Sequence, residues 1–406
     1  MWQAIFKSIE DARIRSVAVA LLLLGFTYAS TFPYQSIIGI NQLGLSEAQM
    51  GLLIFAVGLT GMIGNLLFGH FSDFASNRKT AILFTLGTGA LGFGIFALFP
   101  SLTTFLICLL LVMPISGSTY SQLFAVVRAI TAEHGPREAA SINSAIRAFY
   151  ALSWILVPGL VGFFIATRKN VSDSFAVAAL AFALCLAFYA TFGPSGGRSE
   201  ASGRGGLVGL REAFALIFED RVFKRVMALS FIQGPHPLNA ALLPLLITSL
   251  PHGSTADVGI LAGVVAALEI PFMLLAAALN RQWHTWVLVA VGGLSHITYL
   301  LYLGTVSSVH ALYVLAALNA VGASVLLTLH MSYVQELLPE RPGLATSLLS
   351  IISLVSRGLA AVVFAAIGLA YAYAGAAVAM ALLVLGGCAA IVMLDFKGDA
   401  RRRFTA

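Results

Sequence analysis

Charge is scarce in this chain. Of its 406 residues only 10% are Asp, Glu, Lys or Arg, against roughly a quarter in a soluble globular domain, so there is too little polar surface for a water-soluble body. Cysteine is scarcer. Cys108, Cys185 and Cys388 each sit in a different apolar run, which argues against disulfides or metal ligation and for small packing residues. No metal-ligand spacing, no phosphate-cradling glycine loop and no Ser, His and acid arrangement occurs, so neither a metal, a cofactor nor an enzyme is expected. The net charge is +6, yet the basic residues form no stripe with interleaved aromatics, which excludes nucleic acid as a partner.

Apolar sequence fills the chain instead. Hydrophobic residues make up 59% of it, in uncharged runs of about the 20 residues that a bilayer-crossing helix needs. The first run, residues 16–40, is too long for a signal peptide's apolar region and lacks a cleavage site near its end. Twelve spans are predicted, starting near Ser16, Ala48, Thr80, Leu102, Ala139, Ser174, Val222, Ala256, Trp283, Ala311, Leu344 and Ala376. With a cytoplasmic N-terminus, 19 of the 23 Lys and Arg residues fall on cytoplasmic segments and only Arg168 and Lys169 face outside. That asymmetry is the positive-inside pattern, and it puts both termini of a multi-pass protein in the cytoplasm.

Residues 193–209, including Pro194-Ser195-Gly196-Gly197 and Ser202-Gly203-Arg204-Gly205-Gly206, read as a flexible polar linker. The expected organisation is a six-helix bundle over 1–192, a cytoplasmic linker over 193–220, and a second six-helix bundle with a short cytoplasmic tail over 221–406. Aligning the second span of each half from Gly51 and Gly259 sets Asp73 opposite Arg281, as an internal repeat would. An all-α polytopic membrane protein with twelve transmembrane helices in two six-helix bundles is the major facilitator fold.

Three formally charged residues lie well inside the spans: Arg147, Glu269 and Arg357. Facing lipid each would be costly, so each should face a cavity or a partner. Glu269 is the candidate for binding substrate or exchanging a coupling proton, because desolvation and a nearby guanidinium act on its protonation in opposite senses. The alternative is a permanent salt bridge to Arg357 or Arg147 that locks helices together. Gly234-Pro235-His236-Pro237 interrupts the seventh span, where the prolines remove helical hydrogen bonds and the freed carbonyls need another partner. Such a break either lines a binding site or is an ordinary proline kink.

Polar and aromatic residues cluster at Tyr28, Tyr34 and Gln35 in the first span, Ser118, Tyr120 and Gln122 in the fourth, Asn143, Tyr150 and Trp154 in the fifth, and Gln233, His236 and Asn239 in the seventh. A cavity for a polyhydroxylated solute needs this mixture, amides and guanidinium for hydroxyls and aromatic faces for sugar rings. Singly, each reads as interhelical packing. His330 reads as a structural histidine, and Gly58, Gly61 and Gly64 as close-packing positions.

The turn after the second span, Gly69-His70-Phe71-Ser72-Asp73-Phe74-Ala75-Ser76-Asn77-Arg78-Lys79, resembles the major facilitator signature of a glycine, an aspartate four residues on and a basic pair. Phe74 and Ser76 replace the usual basic residue and second glycine. The resemblance implies gating roles for Asp73 and Arg78; a loop-fixing salt bridge is the plainer alternative. Within that superfamily the chain is similar to the sugar efflux transporter family through Gln122-Leu123-Phe124-Ala125 with Arg128, Arg137-Glu138-Ala139, Arg147-Ala148, Leu152-Ser153-Trp154 before Pro158, Leu268-Glu269-Ile270-Pro271 with Met273-Leu274, Gln335-Glu336-Leu337 with Pro339, and Ala345-Thr346 leading to Ser356-Arg357. This likeness covers residues 121–360.

It implies a secondary transporter, an antiporter in an inner membrane, that exports sugars or glycosides by alternating access in exchange for protons. Glu269, Arg147 and Arg357 would be its coupling group, and Tyr28, Tyr34, Gln122, Asn143, Tyr150, Trp154, Gln233, His236, Asn239 and Glu269 its solute contacts. Expected partners are the solute, protons and the lipid bilayer, with the protein acting as a monomer. The alternative within the architecture is a drug or other small-metabolite exporter. A membrane receptor lacks an output domain here, and a membrane enzyme lacks a nameable nucleophile with its base.

Overall fold

The computed structural model describes residues 11–74, 78–194, 219–338, 342–370 and 373–405. Among these there is no strand. In hydrocarbon the peptide groups find no water, and a helix satisfies them within its own segment. The helices are α1 (Ala12–Gln42), α2 (Glu47–Phe74), α3 (Arg78–Leu98), α4 (Leu102–Thr131), α5 (Pro136–Arg168) and α6 (Asp173–Phe192). After residue 218 come α7a (Asp220–Gln233), α7b (Pro235–Ser249), α8 (Thr255–Leu279), α9 (Thr285–Leu303), α10 (Val309–Leu337), α11 (Pro342–Ala370) and α12 (Tyr373–Thr405). Among the described residues eleven helices are long and apolar enough to cross a membrane; the seventh segment is divided at Gly234 into pieces of 14 and 15 residues.

Helix ends follow local chemistry. Capping boxes start α4 (Ser101 with Thr104) and α8 (Ser254 with Asp257), each satisfying backbone donors that the helix cannot. Asp11 caps α1, accepting from the Arg13 amide at 2.7 Å. The chain resolves into two compact units, Met1–Ile38 with Leu59–Gly206 and Val258–Gly263, and Gly39–Gly58 with Leu207–Asp257 and Val264–Ala406.

In the first unit α3 packs on α6 and α4, and α1 on α5 and α6. Its core is a cluster of wholly buried rings, Phe93, Phe96, Phe105, Phe175 and Phe182, with centroids 4.6 to 6.1 Å apart in contacting pairs. Gly89 makes this possible, since a Cβ there would sit 2.6 Å from the Phe182 ring. Short hydrogen bonds cross the helices: Thr119 to Thr85 at 2.7 Å, Ser153 to the Leu22 carbonyl at 2.8 Å and Tyr34 to the Pro158 carbonyl at 2.7 Å. Cys108, Cys185 and Cys388 are all free and buried, as packing residues should be. Gly64 packs closely, its hypothetical Cβ 2.7 Å from Pro114, but Gly61 has nothing within 4 Å and so is not a packing position.

In the second unit α9 packs on α10 and α12, α7a on α11 and α12, and α7b on α11. One end is clasped by ions. Arg225 of α7a donates to Asp395 of α12 at 2.5 and 3.0 Å and to the Leu394 carbonyl at 3.2 Å, while Tyr333 of α10 donates to the other Asp395 oxygen at 2.6 Å. Both charged side chains are mostly buried, 10% and 16% exposed. Beside them Thr285 donates to Glu336 at 2.5 Å.

Removing one partner of so buried a pair leaves the other charge uncompensated. Arg225→Leu is therefore expected to destabilise the detergent-purified protein by roughly 3 kcal/mol, read as a lower Tm; a Tm equal to the parent's would contradict it. At the start of α1, Arg13 bonds to Asp11 and Glu133 at 3.0 and 3.2 Å, and hydrogen bonding to that guanidinium holds both carboxyls below their ordinary range. Groups lowered in the folded state stabilise it above their unfolded pKa and lose that contribution as pH falls through the folded value. Thermal stability should thus decline on acidification below the usual carboxylate range, and more shallowly in Arg13→Ala.

Candidate functional site

The first unit carries an aromatic run across three helices. On α5, Arg147, Tyr150 and Trp154 stand three and four residues apart and share one face. Tyr120 and Phe124 do the same on α4. Ring centroids lie 4.9 Å apart for Tyr120 and Tyr150, 4.8 Å for Tyr120 and Phe124, 6.5 Å for Tyr150 and Trp154, and 5.7 Å for Trp154 and Phe32 of α1. Phe32 reaches this run because Pro33 tightens α1 into a 3-10 turn over Phe32–Tyr34. At one end the exposed Arg147 guanidinium lies 5.3 Å from the Phe124 centroid, a cation-π contact. Phe32 and Phe124 were not among the expected solute contacts; in sequence they are ordinary apolar residues of a span.

The other expected residues of this unit are spread more widely. Gln122 is buried, its Nε2 donating to Ser118 at 3.0 Å while its Oε1 has no hydrogen-bond partner. Tyr28 donates to Ser116 at 3.0 Å, and Asn143 to the Ala139 carbonyl of its own helix at 2.9 Å. Tyr34 is wholly buried, with its hydroxyl committed to the Pro158 carbonyl. Of the signature residues, Asp73 lies within α2 but its side chain is outside the described residues. Arg78 is buried at the start of α3, and next to it Lys79 donates to the Gly193 carbonyl at 2.8 Å, where α6 ends. A cation there complements the helix dipole.

In the second unit the seventh segment breaks where the prolines stand. The Gly234 amide turns back to the Phe231 carbonyl at 3.2 Å, which Pro235 cannot reach as a donor, and α7b starts at Pro235. Gln233 is half-buried, His236 exposed and Asn239 buried. The charges of Arg357 and His330 act on His236, so three basic side chains share one neighbourhood. His330 Nδ1 contacts the Leu326 carbonyl of its own helix, in keeping with a structural histidine.

Glu269 is the fifteenth residue of the 25 in α8 and half-buried. Its backbone carbonyl accepts from Ser324 of α10 at 3.1 Å, but among the described residues no ion pair reaches its carboxylate. The salt bridge to Arg357 is absent: Arg357, in α11, instead lays its methylene chain against Gly58 of α2, where a Cβ would collide with its Cδ. Asn239, which the sequence pointed to, is joined to residues it did not, namely Asn319 and Tyr299, both buried. The signal was there as isolated polar residues in otherwise apolar spans nine and ten.

A sequence profile of the Major Facilitator Superfamily matches residues 17–295, more than half the chain. The chain belongs to the major facilitator superfamily. Among curated proteins, a candidate sugar efflux transporter of Deinococcus radiodurans is 26% identical over 363 residues, covering 88% of this chain and 91% of that one. Sugar efflux transporter A of Escherichia coli K12 is 26% identical over 343 residues, covering 83% and 85%. The solved structure of the nucleoside transporter NupG superposes with a TM-score of 0.78 at 11% identity, over 95% of this chain and 99% of that one. A POT family transporter in complex with 5-aminolevulinic acid gives 0.78 at 12% identity, over 94% and 96%; both carry the major facilitator fold to this chain and nothing more specific.

Gly58 and Gly61 give a matched test. In this superfamily member Gly58→Leu should displace Arg357 and impair transport, whereas Gly61→Leu, in open space, should leave transport near the parent's. Equal effects of the two substitutions would remove the Arg357 contact from the account.

Proposed function

We propose that this protein exports sugars or glycosides by alternating access, in exchange for protons taken up at Glu269. The observation that carries the reading is the aromatic run of Tyr120, Tyr150, Trp154, Phe124 and Phe32 with Arg147 at its end. Ring faces suit the apolar faces of a sugar, and a guanidinium supplies donors to its hydroxyls. Gln122, whose buried carbonyl oxygen has no donor, suits a hydroxyl as well. Sugar efflux transporters among the relatives support the same substrate class.

Glu269 is the proposed coupling group because a membrane carboxyl without a basic partner can load and release a proton at little structural cost. Arg147 and Arg357 are its proposed counter-charges during the cycle; Asp73 and Arg78 are the proposed gate. The proposed halves are residues 1–192 and 221–406, with 193–220 linking them. The distribution of the basic residues supports cytoplasmic termini; an inner membrane is the proposed location and a monomer the proposed state.

Labelled sugars in proteoliposomes with an imposed pH gradient test this. The parent should accumulate sugar against its gradient, and Glu269→Gln should lose accumulation while retaining downhill exchange. Accumulation by the variant equal to the parent's would remove Glu269 from the coupling mechanism.

A further inference from the structure

Behind Asn239 lies a hydrogen-bonded chain within the second unit that the proposed transport cycle does not use. Asn239 of α7b donates through Nδ2 to Asn319 Oδ1 of α10 at 3.2 Å, and the Tyr299 hydroxyl of α9 donates to Asn239 Oδ1 at 3.5 Å. His296, one turn before Tyr299 on α9, packs its ring against Gly322 of α10, one turn along from Asn319, and its buried Nδ1 has no hydrogen-bond partner. The two asparagines are 9% exposed and His296 and Tyr299 only 1% and 2%, so the chain runs from the edge of the unit into its interior. Room for the imidazole comes from Gly322, three residues after Asn319, where a Cβ would lie 2.5 Å from His296 Cδ2.

We propose that Asn319, backed by the His296 ring packed one turn along α10 from it, is a positioning residue for Asn239, and through it for α7b. The need arises at the break. Pro235 and Pro237 have no amide hydrogen, and the first hydrogen bond across the junction, from the Leu238 amide to the Gly234 carbonyl, is long at 3.3 Å. Lateral ties from Asn239 to α9 and α10 take over the task that the backbone ladder performs elsewhere. They also orient the amide. A carboxamide offers two N–H donors and two acceptor lone pairs; Asn319 takes one donor and Tyr299 one lone pair. What remains is one donor beside one acceptor, the complement of a hydroxyl. Turning the amide over would set Asn239 Nδ2 against the Tyr299 hydroxyl and Oδ1 against Asn319 Oδ1, two acceptors face to face, so Asn319 decides which edge is presented. The role at a solute hydroxyl rests on the sugar-export reading; the stapling of α7b does not.

The test therefore has two readouts. In proteoliposomes Asn319→Leu should raise KM for the transported sugar about five- to tenfold, the size of one lost polar contact, with Vmax near the parent's. Asn319→Asp, which keeps the acceptor for Asn239, should restore KM. Because Asn319 acts through Asn239, the double variant with Asn239→Leu should be no worse than Asn239→Leu alone. Gly322→Ala, whose added methyl displaces the His296 imidazole packed there, should repeat the Asn319→Leu effect in milder form.

Amide hydrogen exchange in micelles is the second readout, and it needs no substrate. Residues 235–249 should exchange faster in Asn319→Leu and Gly322→Ala than in the parent, with α3 unchanged. Unaltered KM and unaltered exchange, or a KM effect that adds in full to that of Asn239→Leu, would overturn the proposal. If the parent moves no sugar, the export reading falls, and the exchange of residues 235–249 alone decides whether the staple exists.

Discussion

Water is absent from a bilayer core, and a peptide group left unpaired there costs several kcal/mol. Everything else in this chain is arranged under that constraint. Long helices supply most of their own pairing, capping boxes close α4 and α8 where they begin, and the segment divided at Gly234 gains side-chain ties from α9 and α10. Charge obeys the same rule. Arg225 and Asp395 satisfy each other, while Arg147 rests on an aromatic face and Glu269 stands without an ion pair among the described residues. Those unpaired charges are the costly ones, and cost without structural return is what marks a functional group in a membrane protein.

The two units divide the chemistry. The first holds aromatic faces and a guanidinium, a surface suited to a ring that is apolar on its faces and polar at its rim. The second holds the acid, the broken helix and a group of basic side chains around His236. Lys79 at the end of α6 and Arg225 at the start of α7a serve a different purpose: each ties a helix end to a neighbour.

Hydropathy made the helices legible. The starts expected from apolar runs, from Ser16 to Ala376, fall within four residues of the observed ones, Ala12 to Tyr373, because span length is set by bilayer thickness and not by tertiary packing. Gly234-Pro235-His236-Pro237 announced the break for an equally local reason. Side-chain partners were less legible. A membrane glutamate and a membrane arginine invite a salt bridge on paper, yet Arg357 is directed against Gly58 by how α2 and α11 pack, which no single segment encodes. Phe32 and Phe124 are indistinguishable in sequence from lipid-facing phenylalanines. Asn319 is a single polar residue whose significance depends on facing Asn239 across 80 residues of sequence.

The central claim is that the solute is a sugar. Counterflow measures this most directly: proteoliposomes preloaded with an unlabelled disaccharide, no pH gradient, and a panel of labelled solutes outside. The account expects saturable counterflow of sugars or glycosides and none of lipophilic cations. Counterflow of lipophilic cations with none of any sugar would contradict it and would make this member of the superfamily a drug exporter.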